Sequence, residues 1–248
     1  KILDSIIQDH YDISEFKILI SPFFGGGSFE FFINKKYKLK VIGNDKFKPL
    51  YTFWDITKNE NDKLRSKLQN RLNKVSKERF QKYRDKIMDE ENELYQAYMY
   101  FIINRCSFSG ATLSGGFSLE SSQKRFTQSS IDRVRDLNLD DFKFYNLDFS
   151  DFLDHESIYN SRKKMLIFLD PPYYLEKASK LYGKNGDMHE NFDHVGLFDS
   201  IKNKKNWIMT YNNCDYIRDL YKDFTILDAS WSYGMNKSKE SSEIVIIN

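Results

Sequence analysis

Residues 165–174 read MLIFLDPPYY, and the fold is decided by how this stretch is read. Five apolar residues, Met165 to Leu169, stop abruptly at Asp170-Pro171-Pro172-Tyr173. A short apolar run bounded by turn residues is the pattern of a strand buried on both faces, as in a parallel sheet. Each proline lacks a backbone N–H, fixes its own φ and pushes the preceding residue out of the helical region. The strand therefore ends in a stiff corner. That corner displays a carboxylate, carbonyls free of any ladder and an aromatic ring, at the edge where open α/β sheets bind ligands. Such parts can hold a planar base by its amino group while stacking on its ring. Taken by itself, the same string also fits an ordinary tight turn beside a core tyrosine.

Working outward, the texture recurs on both sides. FKILI (16–20) predicts a first buried strand that runs into Ser21-Pro22-Phe23-Phe24-Gly25-Gly26-Gly27-Ser28, with a helix from Phe29. Strand, glycine turn and helix bring a ligand against bare backbone and aim a helix N-terminus at it. The spacing is not G-x-G-x-x-G, so the glycines alone equally describe a flexible turn. LKVI (39–42) predicts a second strand ending at Gly43-Asn44-Asp45, and Asp45 lies about twenty positions beyond the glycines. An acid at that tip accepts hydrogen bonds from ribose hydroxyls in Rossmann-like units, and the pairing with the glycine loop is what singles Asp45 out.

Further strands are predicted over 142–146, ahead of Asp148-Phe149, over 207–209, ahead of Tyr211-Asn212-Asn213, and over 243–247. Helices are predicted over 2–9, 130–137, 195–202 and 215–222, and residues 175–191 form a polar, lysine-rich segment. This alternation implies a doubly wound, mostly parallel α/β sheet of Rossmann-like type.

A basic block interrupts it. Residues 58–86 hold eleven Lys and Arg against four Asp and Glu, and Leu64, Leu68, Leu72 and Val75 recur at helical spacing. One amphipathic helix with a basic outer face is expected, suited to phosphate contact or merely to solvation. A second helix is predicted over 87–104, with Leu94, Tyr98, Phe101 and Ile102 on a core-facing stripe. It leads into Arg105, Ser107, Phe108 and Ser109, then Gly115-Gly116-Phe117 and Lys124-Arg125. Ser and Arg make phosphate and base-edge contacts, and a projecting aromatic such as Phe108 can wedge or stack. The bland alternative is an exposed loop. Residues 55–140 are thus expected to be an inserted, mainly helical recognition subdomain.

Composition narrows the classes. The 248 residues, 40% hydrophobic, suffice for one α/β domain with an insertion. A net charge of +2 excludes a polycation, so any nucleic-acid contact must be local. Two cysteines and four histidines without ligand spacing suggest neither a disulfide framework nor a metal site, and fit a reducing, cytoplasmic setting. No apolar run approaches the ~20 residues of a membrane span.

In order, SPFFGGGSF, VIGNDKFKPLYTFW, NLDF, LDPPYY and the terminal strand resemble the Dam-type adenine-specific DNA methyltransferases over nearly the whole chain. The resemblance implies a methyltransferase using S-adenosylmethionine (AdoMet), with 1–54 and 141–248 as the catalytic, cofactor-binding domain and 55–140 recognising double-stranded DNA. By motif position Gly25, Gly26 and Gly27, flanked by Pro22, Phe23 and Ser28, would line the methionine end of AdoMet. Asp45 would hold its ribose, and Asp148 with Phe149 would flank its adenine. Asp170, Pro171, Pro172 and Tyr173 would bind the target base, with Asp170 also beside the cofactor. Arg105, Ser107, Phe108, Ser109, Lys124 and Arg125 would contact DNA. The family's N-terminal Gly-x-Lys element would fall before Lys1. Ser21 stands where many members carry an acid, and Leu113 takes roughly the place of the arginine with which Dam reads its tetranucleotide, so GATC specificity is not implied. The setting expected is a restriction–modification or phage modification system, with a cognate endonuclease as a possible partner. Amino-group transfer to RNA or cytosine, and a silent nucleic-acid-binding homologue, stand as alternatives.

Overall fold

The computed structural model describes residues 2–159, 164–174, 192–231 and 241–248; the lysine-rich segment expected at 175–191 lies outside them. One sheet contains β1 (Ile18–Ser21), β2 (Lys40–Asn44), β3 (Phe142–Tyr145), β4 (Met165–Leu169), β5 (Trp207–Asn212), β6 (Thr225–Trp231) and β7 (Ser241–Ile247). Their order is β3-β2-β1-β4-β5-β7-β6. β1 runs parallel to β2 and to β4, β2 to β3 and β4 to β5, whereas β7 is antiparallel to β5 and β6. From β1 the chain winds outward through β2 to β3, then returns to β4 on the other side. The carboxyl ends of β1 and β4 therefore form a topological switch point, where such sheets open a crevice.

Burial on both faces explains why β1 and β4 read as continuous apolar runs. Ile18, Ile20, Ile167, Leu169, Trp207, Met209, Ile244 and Ile246 share one core, against the helices Phe149–Leu153 and His194–Ile201. The opposite face meets the helix Ser28–Tyr37, where Phe29 packs on Phe168 at 4.1 Å between ring centroids and Phe31 on Phe142 at 4.8 Å. By strand alternation Ser21, Asp170 and Thr210 lie on this second face.

Some expected boundaries move. β1 begins at Ile18 because residues 13–15 form a 3₁₀ turn capped by Asp12, whose carboxylate accepts from Ser14 N at 3.1 Å. Strand β6 has no counterpart in the expectations from sequence. It is an edge strand whose Thr225 and Asp228 are exposed, so it carries no unbroken apolar run.

Two compact units emerge, one from Lys1–Lys46, Asp141–Glu176 and Phe192–Asn248, the other chiefly from Phe47–Asp140. The second is helical: Lys48–Asn59, Asn61–Arg71, Lys77–Lys86, Glu93–Cys106, Leu119–Arg125 and Gln128–Arg135. The single basic helix expected over 58–86 is two helices. Leu64 and Leu68 are buried, but Asn73 takes a left-handed φ of 60° and Ser76 caps a new start by accepting from Arg79 N at 3.3 Å. Likewise the helix expected from residue 87 starts at Glu93, because Asn92 Oδ1 caps Tyr95 N at 2.9 Å. Buried Gln96 joins this helix to its surroundings, donating to Ile87 O at 2.8 Å and accepting from Thr52 Oγ1 at 2.7 Å.

Candidate active site

The loop after β1 is shaped by one aromatic ring and two glycines. Phe24 N donates to Asn44 O at 2.8 Å, which folds the ring back over Gly43 and Gly27. A Cβ at either glycine would meet that ring at 2.5 Å, and Gly27 also has φ +68°. Gly25 and Gly26 differ: a Cβ there would meet nothing within 4 Å, so this backbone borders open space. Gly25 N donates to Asp45 Oδ2 at 3.0 Å, joining the acid at the tip of β2 to the loop after β1. Ser28 is exposed at the start of the following helix.

Buried Asn44, at the end of β2, ties down two loops at once. Its Nδ2 donates to Pro22 O and to Leu147 O, both at 3.1 Å, and its Oδ1 accepts from Leu147 N at 2.9 Å. Beyond β3, Asp148 caps the helix Phe149–Leu153 by accepting from Ser150 N at 3.1 Å and pairs with Lys46 at 2.9 Å. Burial pushes its pKa up, but Lys46 and Ser150 outweigh that and hold it below the ordinary value. Phe149 faces Phe23 at 5.8 Å and Phe192 at 5.3 Å, forming an aromatic wall.

At the end of β4 solvent reaches Asp170, yet protein crowds its carboxyl group. That crowding raises its pKa, and a hydrogen bond from Thr210 Oγ1 to Oδ1 at 2.6 Å partly holds it down. Pro171 is buried and Pro172 half-buried. Tyr173 is half-buried with its ring 6.2 Å from that of Tyr211, whose hydroxyl bonds His194 Nδ1. Asn212 Nδ2 donates to Tyr174 O at 2.8 Å, and Tyr174 stacks on Tyr216 at 4.3 Å, so β5 braces the corner.

The carboxyl edge of β3, β2, β1 and β4 thus brings together Asp148 and Phe149, Asp45, the glycine loop and the Asp170 corner, in that spatial order. Sequence reasoning missed the side chains that hold them: Asn44, Thr210, Asn212, and Glu30 behind Ser21. Only Glu30 left a trace, as an acid amid the phenylalanines of SFEFF.

The second unit carries the remaining candidates. Phe108 is 68% exposed, and Ser109 beside it is exposed at φ 51°. Ser107 is fully buried, with its hydroxyl turned to Asn104 O at 3.3 Å. Arg125 packs over Gly110, reaching Ser107 O at 3.5 Å. Arg105 lies 5.3 Å over the Phe101 ring, with a buried Nε that meets no acceptor. Lys124 is exposed and paired with Glu120 at 2.6 Å.

A Rossmann-like sheet with an antiparallel β7, a glycine loop and an Asp-Pro-Pro-Tyr corner at its switch point defines an α/β methyltransferase. More particularly, the chain belongs to the D12 class N6 adenine-specific DNA methyltransferases, whose family model matches residues 1–235. A comparison with curated proteins found no match. The chain is accordingly an adenine-specific DNA methyltransferase, with AdoMet as methyl donor. The open backbone at Gly25 and Gly26 beside the Asp45 carboxylate fits a nucleoside-bearing ligand of that kind. Among the described residues no helix is long and apolar enough to cross a membrane.

Proposed function

We propose that the chain methylates N6 of an adenine flipped out of a specific double-stranded DNA sequence, within a restriction–modification or phage modification system. One observation carries this reading: the Asp170 carboxylate, held by Thr210, stands at the switch point beside the loop of Gly25 and Gly26. AdoMet supplies an electrophilic methyl group on a sulfonium. Gly25, Gly26 and Asp45 would hold it, and Asp148 with Phe149 would flank its adenine.

The exocyclic nitrogen of adenine is a weak nucleophile, because its lone pair is delocalised into the ring. Asp170 and the Pro171 carbonyl each accept one of its N–H bonds, which draws the nitrogen toward a tetrahedral shape and aims the lone pair. This is positioning with electrostatic preorganisation. As the N–C bond forms the S–CH3 bond of the donor breaks, its electron pair staying on sulfur so that S-adenosylhomocysteine leaves as a neutral thioether; the nitrogen sheds one proton, and Asp170 is the acceptor at hand. A base inside a duplex cannot present this edge, so it is flipped at a cost of a few kcal/mol. Tyr173 offsets that by stacking, worth ~1–3 kcal/mol. The unit of Phe47–Asp140 recognises DNA through Phe108, Ser109, Arg105, Lys124 and Arg125.

The test is incubation with labelled AdoMet and either DNA or RNA, with sequencing for N6-methyladenine. Asp170→Ala abolishes transfer to DNA while DNA binding persists; full activity in that variant refutes the assignment.

A further inference from the structure

We propose that the charge of Glu30, whose carboxyl accepts from Ser21, holds the cationic sulfonium end of AdoMet; the inference rests on the methyltransferase reading above. Glu30 is 2% exposed and Ser21 fully buried, and Ser21 Oγ donates to Glu30 Oε1 at 2.6 Å. Ser21 ends β1, immediately before the glycine loop, on the same sheet face as Asp170 and Thr210. Four groups face the Glu30 carboxyl: the Ser21 hydroxyl from β1, the amides of Phe29 and Glu30 from the helix Ser28–Tyr37, and Asp170 from the end of β4. The one charge among them has the same sign, and no ion pair to Glu30 occurs among the described residues.

A buried carboxylate without a cation is costly, and it resolves the cost by taking a proton or meeting a positive partner. Burial, aided by Asp170, pushes the Glu30 pKa up to about 7, against the hydrogen bonds of Ser21 and the two amides. Near neutrality the protein thus holds two acids at its switch point, with burial and the like charge of Asp170 both favouring the protonated form of Glu30. A fixed sulfonium charge beside Asp170 is the chemistry that satisfies both. Its arrival draws Glu30 toward the ionised form, so cofactor binding and proton release are coupled. A merely structural Glu30 would give no such coupling.

Calorimetric titration of the full chain at pH 7, in two buffers of different ionisation enthalpy, reads this directly. The ligands are AdoMet and S-adenosylhomocysteine, which keeps every part except the sulfonium. The wild type releases more protons on binding AdoMet than does Glu30→Gln. Glu30→Gln binds AdoMet about tenfold more weakly, loses less affinity for S-adenosylhomocysteine, and unfolds without ligand at an unchanged or higher temperature. Equal losses for the two ligands, or none, overturn the inference. If Glu30→Gln does not fold, Ser21→Ala serves: it removes a bond that favours ionised Glu30, so proton release grows and AdoMet binds less tightly. Unchanged proton release in Ser21→Ala overturns the inference too. A wild type that binds neither ligand overturns the methyltransferase reading and this inference with it, whereas normal wild-type binding with an indifferent Glu30→Gln overturns this inference alone.

Discussion

Thr210→Val removes one hydroxyl from the site and leaves its shape. Thr210 is 4% exposed in β5, and its Oγ1 donates to Asp170 Oδ1 at 2.6 Å. A hydrogen bond to a charged acceptor is worth ~1.5–3 kcal/mol. If the bond aims the Asp170 carboxylate at the substrate amino group, its loss lowers kcat/KM by about 10- to 150-fold. The same bond also holds down a pKa that burial raises, so removing it moves that pKa further up. The sign follows: ionised Asp170 is the form that accepts the N–H, activity disappears as pH falls through its pKa, and the acid limb shifts to higher pH in the variant. The assay is transfer of labelled methyl from AdoMet to DNA across a pH series, with AdoMet affinity measured separately and expected to hold. Thr210→Ser restores both rate and profile. A valine variant within about twofold of the wild-type rate, with its acid limb unmoved, refutes the role given to Asp170.

Three further outcomes are expected. Glu30 is raised on folding from 4.5 to about 7, so the folded chain binds more protons than the unfolded one in that window. Its stability accordingly falls by about 3 kcal/mol as pH rises across the window, and denaturant titrations show a flatter profile in Glu30→Gln. Gly27→Ala places a Cβ 2.5 Å from the Phe24 ring at φ +68°, and costs ~1–3 kcal/mol, visible as a lower unfolding temperature. Phe108→Ala, at a side chain 68% exposed, weakens DNA binding by about tenfold in a fluorescence titration while AdoMet affinity stays constant.

How much of the fold the sequence discloses depends on burial. β1 and β4 are covered on both faces, so nearly every position is apolar and the run stands out. β6 lies at the sheet edge with exposed Thr225 and Asp228, and an edge strand that answers partly to solvent loses the pattern. In the helical unit the apolar stripes were legible but the stops were not. Asn73, Ser76 and Asn92 each break or start a helix through a single side chain or one left-handed residue, which a spacing argument averages away.

The site divides along a similar line. The candidate ligand-binding residues sit on loops after strands, where glycine, proline and acid stand out against apolar neighbours. The side chains that brace them are single polar residues inside or at the ends of buried elements. Asn44, Thr210 and Glu30 are 1%, 4% and 2% exposed. Leaving a buried polar group without a hydrogen bond is costly, and at a strand end the available partners are the groups of the adjoining loops. Asn44 shows the consequence: one amide satisfies itself on the loop after β1 and the loop after β3, and so cannot let either move without losing bonds. Thr210 does the same for Asp170 from the neighbouring strand. The need to satisfy buried polar atoms thus holds the functional loops in place before any ligand arrives, which is what preorganised catalysis requires of a scaffold.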